Sequence, residues 1–303
     1  MVYTVTFNPA LDYVMNVKNL NTKDINRSSG EDLFFGGKGI NVSVILSRLD
    51  IDNTALGFLA GFSGNKLEQM LKDEKIKTDF VYLKKGYTRI NVKIKYSAEL
   101  DINAQGPEID ADETEQLLSI VDNLEDNDIL VLAGSIPKSV SSNIYEQILK
   151  KLSDRQIKFI VDATGDLLLN VLKYRPFMIK PNHHELSDLF GVEIKELVDI
   201  IKYAKLLQER GARNVLVSRG KDGAALIDET GKVHTMGIVP GKPVSSVGCG
   251  DSMVAGFIAG YLKSCDYSVA LKMGSACANA TAFSKSLASR EEIEKMINNE
   301  HLR

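Results

Sequence analysis

The chain of 303 residues has no tryptophan, seven prolines and three cysteines. It also has no apolar run near the roughly 18 residues that a membrane-spanning helix needs. Cys249, Cys265 and Cys277 are odd in number, and none belongs to a Cys-x-x-Cys pair. A disulfide framework or a structural zinc is therefore excluded as the organising principle. Neither sign of charge dominates: 37 Lys and Arg stand against 40 Asp and Glu, a net charge of −3. No general basic surface offers itself to nucleic acid or to an anionic membrane, so an anionic ligand must meet a local cluster of cations. The Gly-x-x-x-x-Gly-Lys-Ser/Thr spacing of a P-loop is missing, and so is Gly-x-Gly-x-x-Gly after the first strand, which argues against a dinucleotide-binding oxidoreductase. Met1 to Pro9 lacks a basic region followed by an apolar stretch, reads as a strand, and makes the cytoplasm the expected compartment.

What is present is the composition of a globular protein, 44% hydrophobic and 25% charged, long enough to bury a large core. Val2 to Phe7 is the first expected strand, and apolar spacing over Ile40 to Leu49 is helical. Thr54 to Leu59 reads as the next strand and Lys66 to Glu74 as a helix. Thr88 to Tyr96 alternates Ile90, Val92, Ile94 and Tyr96 with Arg89, Asn91, Lys93 and Lys95, the pattern of an antiparallel sheet wetted on one side. After Gly106-Pro107, helical stretches alternate with short apolar strands at Asp128–Leu132, Phe159–Asp162, Phe177–Lys180 and Asn214–Ser218. That alternation predicts an α/β fold, a mostly parallel sheet with helices on both faces. Residues 1–11, 34–87 and 106–303 are expected to form the large domain, and 12–33 with 88–105 a small β lid.

Five segments carry chemistry. In Ser245 to Gly256, Gly248 and Gly250 turn the backbone tightly before a helix, leaving amides uncovered beside the positive end of its dipole. Asp251 there suits a base that takes a proton from a hydroxyl attacking a bound phosphate. The segment also reads as a plain loop with a helix-capping Asp. Gly36-Gly37-Lys38-Gly39-Ile40-Asn41 is a second glycine-rich turn, where a ligand can approach the backbone, Lys38 offers a cation and Asn41 an amide; a simple strand–helix connection is the alternative. Asp12 follows the turn-forming Asn8-Pro9 and is either a grip for two sugar hydroxyls or a solvated side chain. Arg27 and Arg89 are two surface arginines unless Lys38 joins them around an anionic group.

Asn182 and Glu185, three apart at the start of a helix, can hold waters around Mg²⁺. His183 and His184 suggest a transition metal, but adjacent side chains diverge on a helix and no third ligand is evident. Ser218 to Gly223 is a tight turn that fits either a nucleotide or an ordinary hairpin.

Taken in order, these segments resemble the PfkB, or ribokinase-like, family of carbohydrate kinases, and the resemblance covers essentially the whole chain. Gly36 to Asn41 and Val247 to Ser252 are similar to its two signatures, Asn182-His183-His184-Glu185 to its Asn-x-x-Glu motif, and Ser218 to Gly223 to its nucleotide-contacting turn. Thr6 to Asp12, Thr88 to Lys93, Ile102 to Pro107 and Lys180 to Leu186 are most similar to the branch that phosphorylates the 6-hydroxyl of fructose 1-phosphate. The resemblance implies ATP and Mg²⁺ as cofactors, with Asp251 as base and the Gly248, Cys249 and Gly250 amides as an anion hole. It implies Asp12, Gly37 and Asn41 on the sugar, and Arg27, Lys38, Arg89 and Ser135 on its phosphate. Lys180, Asn182, Glu185, Ser218, Gly220, Gly223, Gly250 and Asn279 would serve the nucleotide, with Asn182 and Glu185 reaching Mg²⁺ through water.

Kinases of tagatose 6-phosphate or fructose 6-phosphate share the motifs, and a non-catalytic sugar-phosphate sensor would share the fold. The partners implied are small molecules, with neither nucleic acid nor membrane, and a second copy of the chain is a possible partner through the lid. Cys249 departs from the family's usual alanine. The thiol is little larger than a methyl, a conservative replacement, although a thiol at a helix start is expected to have a low pKa and to be open to oxidation or alkylation.

Overall fold

A strand buried on both faces reads as a short continuous apolar run, and the centre of this molecule is built from such runs. The computed structural model describes residues 1–302. The chain runs β1 (Val2–Thr6), β2 (Ala10–Asn16), β3 (Gly30–Gly36), α1 (Lys38–Arg48), β4 (Asn53–Leu59), α2 (Gly61–Asp73), β5 (Lys77–Tyr82), β6 (Arg89–Lys95) and β7 (Glu99–Ile102). It continues through α3 (Ala111–Val121), β8 (Ile129–Ala133), α4 (Ile144–Lys151), β9 (Lys158–Asp162), α5 (Gly165–Val171) and β10 (Met178–Ile179). Then α6 (His183–Phe190), α7 (Leu197–Glu209), β11 (Asn214–Ser218), β12 (Ala224–Ile227) and β13 (Val233–Met236) lead to α8 (Cys249–Ser264), α9 (Tyr267–Ala282) and α10 (Arg290–Ile297).

Nine strands form one sheet in the order β13-β12-β11-β10-β9-β8-β1-β4-β5. From β5 to β11 all pairs are parallel, and β12 and β13 add an antiparallel edge. One face buries Phe7, Phe58 and Tyr145, whose rings lie 5.7 and 5.9 Å apart around Phe7. The other face is covered by α1, α8 and α9 through residues such as Ile45, Met253, Phe257 and Leu271. Helices α8 and α9 approach so closely that a Cβ on Gly256 would stand 2.5 Å from the Met273 carbonyl oxygen. Close packing of this kind holds the start of α8 still.

The second sheet has the order β3-β2-β6-β7. It is mixed, not purely antiparallel as expected, because β2 and β6 run parallel. A long excursion through β4, α2 and β5 separates β2 from β6, and such a crossover permits the parallel pairing that a hairpin forbids. The polar face of β6 is not wetted either: Asn91 and Lys93 are buried, whereas Ile90, Val92 and Ile94 are partly exposed. Helix α2 starts at Gly61, five residues before the expected Lys66. Glycine-rich Gly61 to Gly64 has poor helix propensity, but the Ser63 hydroxyl donates to the Thr88 carbonyl at 2.7 Å and the Gly64 amide to that of Ala60 at 3.0 Å.

Candidate active site

Parallel strands bring their carboxyl ends to one edge of the sheet, and the side chains that follow them converge there. A cleft of about 1170 Å³ opens at that edge. The ends of β1, β8 and β9, the first turns of α1 and α8, and residues of β2 and β6 line it. Of the expected site residues, Asp12, Gly37, Lys38, Asn41, Arg89, Ser135, Glu185, Gly248 and Asp251 are on its walls.

On its wall stands Asp251, third residue of α8 and only 6% exposed. It is not the helix cap. That position is Gly248, whose φ of 78° is the left-handed conformation that glycine tolerates best. Burial pushes the Asp251 carboxyl up to about 6, helped by the negative charge of Asp162, while the hydrogen bond from Asn41 and the charges of Lys38 and Lys180 oppose the rise. Asn41 Nδ2 donates to Asp251 Oδ2 at 2.8 Å, and the buried Asn41 Oδ1 has no partner among the described residues. A buried polar atom pays for that vacancy unless a ligand hydroxyl fills it. The first amides of a helix have no intrahelical partner, and no side chain caps α8, so the Gly250 and Asp251 N–H groups stay open. The Cys249 amide turns back to the Ser246 carbonyl at 3.4 Å, so it contributes less to an anion hole than expected.

Beneath this turn lies a buried ionic group. Asp162, last residue of β9 and 1% exposed, accepts from Lys38 Nζ at 3.0 Å and from Lys180 Nζ at 3.4 Å. Burial would raise its pKa, but the two ammonium groups outweigh that and hold the carboxyl below its usual range. Lys180 lies beside the first turn of α8, since a Cβ on Gly250 would stand 3.2 Å from its Nζ. Lys38 is therefore tied to Asp162, whose buried carboxylate draws the nearest cation, and it shares the cleft wall with Arg89 but not with Arg27.

Also on the cleft wall, Asp12 lies within β2 and Arg89 Nε donates to the Asn8 carbonyl at 3.1 Å. Arg27 sits exposed on the connection between β2 and β3 and does not line the cleft. A loop tip in a polar segment has no apolar contact to draw it inward.

The expected nucleotide residues fall beside the cleft. Asn182 caps α6 and forms a reciprocal pair with Glu185: each side chain accepts the other's amide at 2.8 Å. Asn182 also bridges to Ser218, so this helix start adjoins the turn that carries Gly220 and Gly223. Gly223, with φ 85°, is required by the hairpin, as a Cβ there would fall 2.0 Å from the Met236 carbonyl oxygen. Asn279 instead anchors a loop, accepting from the Val239 amide at 2.9 Å and donating to the Ser275 carbonyl at 2.8 Å.

The His183 and His184 rings do not diverge. Their centroids lie 3.9 Å apart, because residues at a helix start have no preceding turn to separate them. No cluster of three or more His, Cys, Asp or Glu ligands exists among the described residues. Cys249 is not a low-pKa thiol: burial, then the Asp251 charge, pushes it up to about 11 and overrides the helix dipole.

The sequence profile of the pfkB family carbohydrate kinases matches residues 5–294. The chain belongs to the PfkB family of carbohydrate kinases. It is 41% identical over 297 residues to a 1-phosphofructokinase of Bacillus subtilis (strain 168), covering 98% of this chain and 97% of that protein. A D-tagatose-1-phosphate kinase of Bacillus licheniformis is 37% identical over 297 residues, 97% of each chain. The crystal structure of phosphofructokinase-2 from Escherichia coli in complex with substrates and products superposes with a TM-score of 0.92 at 28% identity, covering 98% of both chains. The expected ribokinase-like fold is the one observed. This PfkB protein is an enzyme, a sugar-phosphate kinase of a family that uses ATP. No helix among its described residues is long and apolar enough to cross a membrane.

For a PfkB kinase, two residues of the cleft, Asp162 and Asn91, and one beside it, Lys93, were missing from the expected site residues. Asp162 carried a signal, a carboxylate ending an apolar strand of a parallel sheet. Asn91 and Lys93 were visible only as polar members of an alternation. Their burial depends on which way the small sheet faces, and alternation cannot say which.

Proposed function

We propose that this kinase transfers the γ-phosphoryl group of ATP to the 6-hydroxyl of fructose 1-phosphate, giving fructose 1,6-bisphosphate and ADP. The observation that carries the reading is Asp251: a buried carboxylate raised to about 6, beside open helix amides, in a cleft whose wall also carries Arg89. Asp251 takes the proton of the 6-hydroxyl as its oxygen bonds to phosphorus and the bond to the ADP oxygen breaks. Amides at the start of α8 face the charge that develops on the transferring group. Asn41 holds the base and leaves its free oxygen for a sugar hydroxyl. Asp12, Gly37 and Ser135 are assigned to the sugar phosphate with Arg89, and Lys180, Ser218 and Gly220 to ATP. The 41% identity to a 1-phosphofructokinase supports the substrate.

Glu185 lines the cleft with one carboxylate oxygen given to its capping pair, leaving the other for Mg²⁺. That fits an ion that keeps several waters and binds through few carboxylates plus substrate phosphates. Mg²⁺ when bound offsets the charge of the ATP phosphates. The outward face of the small sheet presents Tyr13, Val92, Ile94, Leu100 and Ile102, which supports a second copy of the chain as its cover. Sedimentation at micromolar concentration would show a dimer, and a monomer there would end that reading.

A second substrate, tagatose 1-phosphate, is favoured by the 37% identical relative. The test is ADP release with ATP and Mg²⁺ across fructose 1-phosphate, tagatose 1-phosphate, fructose 6-phosphate and tagatose 6-phosphate. A kcat/KM highest for fructose 1-phosphate upholds the proposal. Preference for another sugar phosphate overturns the substrate, and no turnover with any of the four overturns the kinase reaction as written.

A further inference from the structure

Asp12 stands at the wall between the main cleft and a narrower crevice lined by Asn41, Lys93, Lys95, Gly248 and Lys285. Its two oxygens are held differently. Oδ1 accepts from Asn91 Nδ2 at 2.8 Å, and Oδ2 is 3.3 Å from Lys93 Nζ. Asn91 and Lys93 alternate along β6 and so share a face, and the parallel register sets Asn91 beside Asp12 and Lys93 beside Val14. Asn91 cannot turn its amide over without loss, because its own oxygen accepts the Ala104 amide at 3.2 Å.

Lys93 is 8% exposed, with a second carboxylate, Asp101, 4.0 Å away on the neighbouring strand. A lysine this buried costs desolvation that a surface lysine avoids, and one that serves only solubility would point outward. Here it points at the carboxylate assigned to the sugar. A Cβ on Gly36 would stand 2.6 Å from Asp12 Oδ1, so it is glycine on the neighbouring strand that leaves room for the carboxylate here.

We infer that Asn91 and Lys93 are positioning residues that set sugar-phosphate specificity, clamping the Asp12 carboxylate in one orientation and offsetting its charge. The inference rests on the reading of Asp12 as the sugar-binding carboxylate. An ionised carboxylate offers about four lone-pair directions, and the clamp occupies two of them. The two that remain are fixed in space and accept hydroxyls of one configuration. A ketose with one inverted hydroxyl leaves an acceptor unpaired, which is where polar sites discriminate best. An unpaired Asp12 would also repel an anionic sugar phosphate, and the Lys93 ammonium removes that penalty.

The experiment compares Lys93→Met, Lys93→Arg and Asn91→Ser with the wild type in steady-state kinetics. Fructose 1-phosphate and tagatose 1-phosphate are varied against saturating ATP, and thermal unfolding is followed in parallel. Lys93→Met is expected to raise the sugar-phosphate KM by about 30-fold or more while kcat changes by about 3-fold or less, an unpaired buried partner being the cause. The KM for ATP stays put, and the ratio of kcat/KM between the two ketoses narrows by about 5-fold. Lys93→Arg recovers most of the KM by restoring the charge. Should Lys93→Met fail to fold, Asn91→Ser is scored by the same split between KM and kcat.

An unchanged sugar KM and ketose ratio in a folded variant overturns the clamp. So does a loss confined to kcat or to thermal stability. Wild-type turnover is measured first: the assignment of fructose 1-phosphate stands or falls on it, whereas the clamp is scored on whichever ketose phosphate the wild type uses.

Discussion

Two glycine-rich turns feed helices that start at the same cleft, yet glycine is required in each for a different reason. In the turn from Gly36 to Gly39 the decisive need is packing at Gly39, although Gly37 also takes a positive φ of 110° that favours glycine. A Cβ on Gly39 would stand 2.4 Å from Thr6 Oγ1 and 2.9 Å from the Val5 carbonyl oxygen, so α1 rests directly on β1. In the turn from Gly248 to Gly250 the need is conformational and electrostatic. Gly248 supplies a left-handed φ of 78°, and a Cβ on Gly250 would meet only the flexible end of Lys180 at 3.2 Å. The first turn is therefore a rigid seat for a ligand. The second leaves amides free, and its Gly250 position can take a side chain without a backbone clash, whereas a Cβ on Gly248 would stand 2.6 Å from Leu287 Cδ2. Its middle position already holds a cysteine.

This contrast can be broken most sharply at the carboxylate. Asp251→Asn keeps the shape of the second turn and removes the base, so kcat should fall by about 10²- to 10⁴-fold. The sugar-phosphate KM should stay within about 3-fold, because the asparagine still fills the site. A mutant that turns over at the wild-type rate would show that no base acts from this turn. Next, Gly39→Ala and Gly250→Ala should separate the two turns by stability. The first forces a methyl into Thr6 and the Val5 backbone and should cost about 1–3 kcal/mol in chemical denaturation. The second displaces only a lysine end, and alanine is the better helix former, so unfolding should move by less than about 1 kcal/mol while kcat drops. Equal destabilisation would erase the distinction drawn between them.

The pH dependence sharpens the second turn further. A base works when deprotonated, so kcat/KM should hold above about pH 6 and fall roughly tenfold per unit below it, following the raised Asp251 carboxyl. Burial is the larger cause and the Asp162 charge the next. Asp162→Asn should therefore move the acidic limb to lower pH, still above the carboxylate's ordinary 3.8. A limb that stays in place would mean the two carboxylates are not coupled.

The smallest effect belongs to Cys249→Ala, expected within about 0.5 kcal/mol and about 2-fold in kcat. Alkylation near neutral pH should mark the exposed Cys265 before Cys249, whose thiol is pushed up to about 11. Prior labelling of Cys249 would contradict its burial.

Much of the architecture was legible because it follows from period and punctuation. Runs such as Ile129–Ala133 and Asn214–Ser218 are short, apolar and bounded by turns, which is how buried parallel strands read. Asp251 and Asn41 were legible because each follows glycines at a helix start, although they lie 210 residues apart and meet only in the fold. Asp162 was passed over as the polar end of a strand. Its importance comes from Lys38 and Lys180, neither near it in sequence, converging on one buried carboxylate.

Local order along the chain determined the alternating α/β fold, the glycine turns and the carboxylate at the start of α8, since backbone conformation and apolar spacing are local properties. Only the tertiary structure decided which charges pair, that burial raises the Cys249 thiol, that the polar face of β6 is buried and that Arg27 lies outside the cleft. Those outcomes depend on distance and burial, and both are set by residues far apart in the chain.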